Sequence, residues 1–320
     1  MNLSIITINY NNLSGLRKTV ESVLSQTMLS EVEYIIIDGA STDGSAEFLK
    51  ELDEKIKARV EGAPISHIPS PISFKYISEP DTGIYNAMNK GLRMATGDYI
   101  QILNSGDILA SNTVIERMLA ELERLNVVPV TCHGFADRTL VVKNQSPVTE
   151  NSTGILYGNM LKDFANGKIT KDTCGGDDYT PESFLYFYIG TLNHDSAYIR
   201  RDLFEKYGYY NEDMRICSDW EWYVKAIALG GEKTHYVDID VTIFDMGGIS
   251  ESGGKNAELI RRERREYLEK ILPASILHDY DAYSMPIRQY QRLKRHHLWG
   301  IVWFLERVLF KLEKWGILRK

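Results

Sequence analysis

The sequence predicts an α/β protein: a doubly wound (Rossmann-like), mostly parallel sheet flanked by helices, with a C-terminal helical extension. Three observations carry the α/β expectation. Short apolar runs alternate with amphipathic helical stretches four times between residues 3 and 103, the rhythm of a parallel sheet. The runs are continuously apolar, as in strands buried on both faces. They end at polar or acidic residues, and in an open α/β sheet ligands sit just outside these carboxyl ends.

Taken in order, residues 3–8 form the first strand, and Asn9-Tyr10-Asn11-Asn12 follows as a polar loop. Leu16, Val20, Val23 and Leu24 fall at i, i+4, i+7 and i+8, the stripe of an amphipathic helix. Residues 34–37 form a second strand that stops at Asp38-Gly39. Ser41-Thr42-Asp43-Gly44 is turn chemistry suited to capping the next helix, in which Phe48, Leu49, Leu52 and Ile56 face inward. Residues 63–73, rich in Pro and Ser, read as a loop, and 74–77 as a third strand. Ile84, Met88, Leu92 and Ala95 line one face of the next helix, and Gly97 suits its end. Residues 99–103 are the fourth strand, which stops at the turn Asn104-Ser105-Gly106-Asp107.

Beyond Asn112 the rhythm changes. Residues 114–125 read as a helix, and 127–190 are mixed, with short strand-like pieces. Residues 213–229 look helical, 237–243 read as a strand, and 246–254 as a glycine-containing loop. A charged helix is expected over 257–271 and a last helical stretch over 294–318.

The bulk numbers narrow the function classes. Apolar residues make up 43% of the 320, enough to bury a large core. The net charge of −7 argues against a general nucleic-acid partner. Residues 290–320 carry eight Lys or Arg against two Glu, a net +6 that leaves −13 on the remainder. Cys132, Cys174 and Cys217 make neither a zinc spacing nor a disulfide framework, which points to a reducing compartment. The first residues show no basic segment or cleavage pattern of a signal peptide. No window of about 20 residues is apolar and uncharged, so no membrane span is expected.

Tyr10, Asp38, the Glu79-Pro80-Asp81 turn and Asp107 all lie at or near strand ends, so a parallel sheet brings them to one crevice. An aromatic ring and a carboxylate there can stack a planar base and accept its N–H. A further carboxylate can hold a divalent cation that screens a diphosphate. Together these describe a nucleotide-diphosphate site. A dinucleotide-dependent oxidoreductase is disfavoured, because NYNN rather than G-x-G-x-x-G follows the first strand.

The segments SIITINYNN, EYIIIDGASTDGS, SEPDTGIYNAMNKGLRMATGDYIQILNSGD and NHDSAYIRRDLFEKYGYYNEDMRICSDWEWYVKA resemble family 2 glycosyltransferases of the GT-A fold. The likeness spans roughly residues 3–111 and 193–226. It implies transfer of a sugar from a nucleotide diphosphate donor, commonly a UDP-sugar, with inversion. It implies a GT-A domain over 1–250, with 1–111 the nucleotide-sugar half and 112–250 the acceptor and catalytic-base half, and the helical extension over 251–320. Residue by residue, it points to Thr7, Asn9 and Tyr10 around the base and Asp38 on the uracil. The metal motif falls on Asn104, Ser105 and Asp107. Only Asp107 there is a carboxylate, a departure from the family's Asp-x-Asp pattern. Mg²⁺ or Mn²⁺ would be held by Asp107 and the donor diphosphate, since Mg²⁺ sites commonly use few protein ligands.

An inverting transfer needs a base for the acceptor hydroxyl. The family's position for it falls on Ser218-Asp219-Trp220-Glu221-Trp222, with Asp219 as the base and Glu221 as reserve. Ser218 and Glu221 also fit a capping box. His194 resembles a family position near the diphosphate or acceptor. Gly247-Gly248-Ile249-Ser250 resembles the loop that closes over the donor, and Asp177-Asp178 reads as a solvated loop. Trp220 and Trp222 are candidates for stacking on an acceptor sugar, with one of them expected in the core. The rival to an active enzyme is a nucleotide-sugar-binding scaffold that has lost catalysis.

In the last stretch Trp299, Val302, Trp303, Leu305, Leu309, Phe310 and Leu312 interleave with Arg307, Lys311 and Lys314, flanked by Lys294, Arg295, Arg319 and Lys320. A basic amphipathic helix of this kind suits contact with an anionic membrane surface. The alternative packs it on the protein's own body or on a second subunit of a homodimer. The expected setting is cytoplasmic, at the inner face of the cell membrane. There the acceptor would be a saccharide or lipid-linked saccharide of bacterial surface-polysaccharide or glycolipid assembly.

Overall fold

The computed structural model describes residues 1–60, 72–126, 152–164, 167–174, 181, 183–245 and 256–315. The Gly247-Gly248-Ile249-Ser250 loop, Asp177-Asp178, Cys132, Arg319, Lys320 and most of the 63–73 loop lie outside them.

The chain opens as β1 (Leu3–Asn9), α1 (Leu13–Leu24), β2 (Val32–Asp38), α2 (Ser45–Val60), β3 (Ser73–Ser78), α3 (Ile84–Met94) and β4 (Tyr99–Ile102). β3, β2, β1 and β4 lie side by side and parallel. The register pairs Leu3 with Val32 and Asn9 with Asp38, so the first two strands end together. That shared end sets Asn9 beside Asp38.

Two cores cover the sheet, as the period-2 alternation of strand side chains requires. Leu3, Ile5, Tyr34 and Ile36 pack with Leu16, Val20 and Val23 of α1 and Leu49, Leu52 and Ile56 of α2. Ile6, Ile35, Ile37, Ile100 and Ile102 pack with Met88 and Leu92 of α3 on the other face. Each fully buried Leu or Ile contributes about 1.5–3 kcal/mol by leaving water.

The second half continues the same sheet with mixed strand directions. It comprises β5 (Ile108–Leu109), α4 (Val114–Asn126), β6 (Ile155–Asp163), β7 (Ile169–Asp172), α5 (Phe184–Ile189), β8 (Ala197–Arg200), α6 (Asp202–Tyr207), α7 (Ser218–Tyr223) and β9 (Thr234–Asp245). β8 runs antiparallel beside β4, β6 antiparallel beside β8, and β9 parallel beside β6. Parallel pairing thus holds for the first four strands, and direction varies beyond them.

Two helical expectations need correction. Residues 213–217 are not helical, α7 begins at Ser218, and from Val224 to Leu229 it continues as a π-helix. The C-terminal region holds three helices: α8 (Ala257–Ile271), α9 (Ala274–Arg295) and α10 (Trp299–Lys314). α9 carries Pro286 inside it, a residue that masks a helical pattern in sequence. Tyr267 and Leu268 of α8 and Leu277 of α9 join the α3-side core.

The turn between α3 and β4 passes close to β1. A Cβ on Gly97 would lie 2.7 Å from the backbone nitrogen of Ser4 and 3.0 Å from the carbonyl carbon of Leu3. Neither atom can retreat without disturbing the pairing of Leu3 with Tyr99. Gly97→Ala is expected to cost about 1–3 kcal/mol, read as a lower melting temperature by circular dichroism; an unchanged melting temperature would contradict this packing account.

Candidate functional site

The adjoining ends of β1 and β2 are locked by Asp38, which is fully buried. Its carboxylate accepts Asn9 Nδ2 (2.8 Å), the Ser41 N–H (3.0 Å), Ser41 Oγ (2.6 Å) and Ser78 Oγ (2.6 Å). Ser41 Oγ also accepts the Asn11 N–H at 2.7 Å. Thr7 is buried beneath, its hydroxyl 3.1 Å from that of Tyr34. Asp38, Asn9 and Thr7 therefore shape the loops at this edge. Tyr10 is 67% exposed and presents its ring to solvent. Gly39 lets two groups approach closely: a Cβ there would lie 2.5 Å from Asp81 Oδ2 and 3.1 Å from Tyr10 Cδ2. An aromatic face and a carboxylate thus flank one glycine, which suits stacking a planar ring and accepting an N–H.

The turn after β4 is held from below by α1. Gly106 has φ +113°, a left-handed conformation that favours glycine. The buried Thr19 hydroxyl accepts the Gly106 N–H (2.9 Å) and donates to the Asp107 carbonyl (2.7 Å). Asn12 caps α1 by accepting the Gly15 N–H and donates to the Ser105 carbonyl at 3.0 Å. Asp107 is 4% exposed, and its Oδ1 accepts the Asp245 N–H at 2.9 Å. Burial, then the neighbouring Asp195 charge, push its carboxyl up to about 7. Asp195 is raised as well, chiefly by burial.

A 3₁₀ turn, His194–Ser196, carries the second half of the chain to this point. His194 Nε2 lies 3.2 Å from Asn104 Nδ2, and its Nδ1 lies 3.3 Å from Asp219 Oδ2. The Tyr85 hydroxyl reaches Asp219 Oδ1 at 2.9 Å and also the Ile216 carbonyl. Burial alone would lower the His194 pKa, but the Asp219 hydrogen bond and charge outweigh it and raise it to about 9. Burial would likewise raise Asp219, yet the His194 contact holds it below the usual carboxylate range. The pair is therefore imidazolium and carboxylate near neutral pH. Asn104 Oδ1 is buried with no hydrogen-bond partner; turning the amide over would offer it to the Nε2–H of the imidazolium.

The structure thus joins Asn104, His194 and Asp219 in one chain of contacts, with Asp107 and Asp195 beside it. It does not bring Glu221 there. Glu221 pairs with Lys225 at 2.7 Å and borders a cleft with Arg215, Arg262 and Tyr267. Two residues along a helix are about 200° apart, so Asp219 and Glu221 face opposite sides. The expected capping box does not form: Cys217 is the N-cap, and Ser218 Oγ accepts the Asn211 N–H. Trp220 and Trp222 are both core residues, each 1% exposed. Their indole N–H groups bond the carbonyls of Phe187 and Gly208, so neither is placed to stack on a sugar.

Among the described residues, no group of three or more His, Cys, Asp or Glu is arranged to hold a metal ion. The donor chemistry of the acidic turn still suits a hard divalent cation. Asp107 and Asp195 are buried oxygen donors, and the Asp195 charge adds to burial in raising Asp107; a cation relieves such like-charge strain.

Comparisons with known proteins bear on the family and the fold. The family model described as Glycosyl transferase family 2 matches residues 4–208. An uncharacterized glycosyltransferase of Mycobacterium tuberculosis is 27% identical over 227 residues, covering 70% of this chain and 68% of that protein. A PGL/p-HBAD biosynthesis glycosyltransferase of Mycobacterium bovis is 23% identical over 248 residues, covering 77% and 78%. Two solved structures share the fold. Residues 1–349 of S. aureus TarS in complex with UDP-GlcNAc align with TM-score 0.59 at 16% identity, covering 90% of this chain and 72% of that one. The mannosyltransferase PcManGT from Pyrobaculum calidifontis, in complex with GDP-Man and Mn²⁺, aligns with TM-score 0.55 at 18% identity, covering 88% and 69%.

The His194–Asp219 pair makes stability depend on pH. The folded pKa of His194, about 9, lies above its ordinary 6.5. Its stabilisation is complete below pH 6.5 and is lost as pH rises through 9. The wild-type melting temperature should fall across this window, with a contribution on the order of 3 kcal/mol. His194→Gln should flatten that part of the profile; a profile as steep as wild type would refute the pairing.

Proposed function

The chain belongs to glycosyl transferase family 2, and from that premise we propose that it moves a sugar from a nucleoside diphosphate, most simply UDP, to a hydroxyl acceptor with inversion. The observation that carries this reading is the Asn104–His194–Asp219 chain of contacts, which links the turn after β4 to an ionised carboxylate. The UDP and UDP-GlcNAc complexes of TarS support the choice of nucleotide.

In this mechanism the base stacks on Tyr10 and its N–H meets Asp81, while Asp38, Asn9 and Thr7 hold the loops that frame it. The diphosphate lies along Asn104, Ser105 and Asp107. Mg²⁺ or Mn²⁺, held by Asp107 and the diphosphate, would screen the leaving group when bound. Asp219 accepts the proton of the acceptor hydroxyl as that oxygen bonds to the anomeric carbon. The bond from that carbon to the diphosphate breaks on the opposite face, and the electron pair leaves with the nucleoside diphosphate. His194 keeps Asp219 ionised and places a positive charge between the base and the leaving group.

The proposal extends to where the reaction occurs. α10 exposes Ile301, Trp303, Phe304, Leu305, Leu309 and Phe310, each at least half exposed, within the stretch that carries +6. No helix among the described residues is long and apolar enough to cross a membrane. We propose that α10 rests on the anionic inner face of the cell membrane and that the acceptor is a lipid-linked saccharide. A relative named for PGL/p-HBAD biosynthesis supports that acceptor class.

Nucleotide sugars screened with Mn²⁺ test the chemistry. Asp219→Asn should lower kcat by about 10²–10⁴-fold, Asp107→Asn should weaken donor use, and NMR of the product should show inverted anomeric configuration. Full activity in Asp219→Asn would remove the base assignment. Nucleotide binding without turnover would favour the lapsed scaffold, and no nucleoside diphosphate binding would end the reading.

For the membrane, the full chain should float with anionic liposomes and be released by salt, since each Lys or Arg near the surface contributes about 1 kcal/mol. A chain lacking residues 296–320 should stay behind; equal flotation of both would overturn the claim.

A further inference from the structure

Glu263 lies in α8, beyond the residues that the family model matches, and is 7% exposed. Its carboxylate accepts three consecutive backbone N–H groups: Arg215 at 2.8 Å, Ile216 at 3.1 Å and Cys217 at 3.0 Å. These amides lead into the N-terminus of α7, which has no side-chain cap of its own. The first N–H groups of any helix need outside acceptors, and here a distant carboxylate supplies one. The rest of that α8 face grips the same segment. The Ile260 carbonyl accepts Cys217 Sγ at 3.8 Å, the Arg264 guanidinium sits 5.0 Å above the Trp220 ring, and Tyr267 meets Trp220 edge-on at 5.8 Å. Residues 260, 263, 264 and 267 share one helix face by spacing.

The clamped backbone touches the site at two points. The Ile216 carbonyl receives the Tyr85 hydroxyl, which also reaches Asp219. Asp219 itself stands two residues after Cys217, in the first turn of α7.

We propose that Glu263 is a positioning residue: from the C-terminal extension it fixes the backbone at 215–217 and thereby sets where the Asp219 carboxylate stands against His194 and the acceptor hydroxyl. The inference rests on Asp219 as the base. The physical reason is geometric. A base must meet its proton at hydrogen-bond distance, and a misplacement of about 1 Å can cost about 10²-fold in rate. A carboxylate can accept all three amides, whereas the glutamine amide has one acceptor oxygen and turns N–H donors toward the rest.

Glu263→Gln, assayed in the full chain and normalised to folded protein, should lower kcat at least about tenfold. The KM for the nucleotide sugar and the affinity for UDP should stay near wild type. Amide hydrogen exchange at 215–217 should quicken. In an Asp219→Asn background the same change should lower the residual rate by no more than about twofold, because both act through one group. Unchanged kcat with quickened exchange would overturn the proposal, as would losses that multiply in the double variant. Glu263→Asp keeps the charge on a shorter arm and carries the same measurements if the glutamine variant does not fold; full kcat there, with quickened exchange, overturns the proposal equally. Full activity in Asp219→Asn alone would instead remove the base reading, while the exchange data would still report the clamp.

Discussion

The contact between the His194 imidazole and the Asp219 carboxylate is the constraint on which the rest of the site depends. Through Asn104 it is tied to the first part of the chain: His194 enters from the turn before β8, Asp219 from the start of α7, and Asn104 from just after β4. A buried ion pair is poor evidence for stability, because desolvation offsets much of the attraction. Its consequence here is for protonation. The shared interaction raises His194 and lowers Asp219, so a positive and a negative group coexist where both are largely shielded from water. A lone buried carboxylate would drift toward the neutral form, as Asp107 does.

Around that pair, polar side chains hold backbone, and the backbone holds the site. Asp38 ties the β1 and β2 loops, Thr19 and Asn12 hold the 104–107 turn, and Glu263 holds the start of α7. Each is buried or half-buried and fixes a segment that would otherwise be an irregular loop with unpaired N–H or C=O groups. The exposed groups, such as Tyr10, are few. Rigid loops framing a few accessible groups suit recognition of a ligand whose shape is fixed at several points.

Much of the first half was legible in sequence because local rules and tertiary demands agree there. Continuous apolar runs must be doubly buried strands, and Leu16, Val20, Val23 and Leu24 repeat at the helical period where α1 packs on the sheet. The acidic turn at 104–107 was legible for the same reason, since a strand that stops on a carboxylate leaves few places for it. The second half resisted. β5 has two residues and β8 four, too short for a period to emerge, and α9 hides behind Pro286. Asp195 and Tyr85 gave no separate signal: one follows a histidine already singled out, and the other lies within the helix of the apolar stripe. Glu263 was invisible for a different reason. Its partners at 215–217 are backbone amides almost fifty residues away, and no side-chain pattern encodes a contact with N–H groups.

Charge balance takes the argument one step further. Asp219 is matched by His194, but Asp107 is raised by burial and by the Asp195 and Asp245 charges, and that same imidazolium is the one cation among the groups that shift it. A nucleoside diphosphate would add further negative charge to the same small volume. Unpaired charge of this kind is expensive away from water. Protonation of Asp107 relieves some of it in the free protein, which is why its carboxyl titrates near neutrality rather than near four. That relief must be given up if the same oxygens are to face a cation. Under the proposed function, these electrostatics would favour a donor that arrives already neutralised by a divalent ion, with the single carboxylate of the turn meeting the complex rather than storing the metal beforehand.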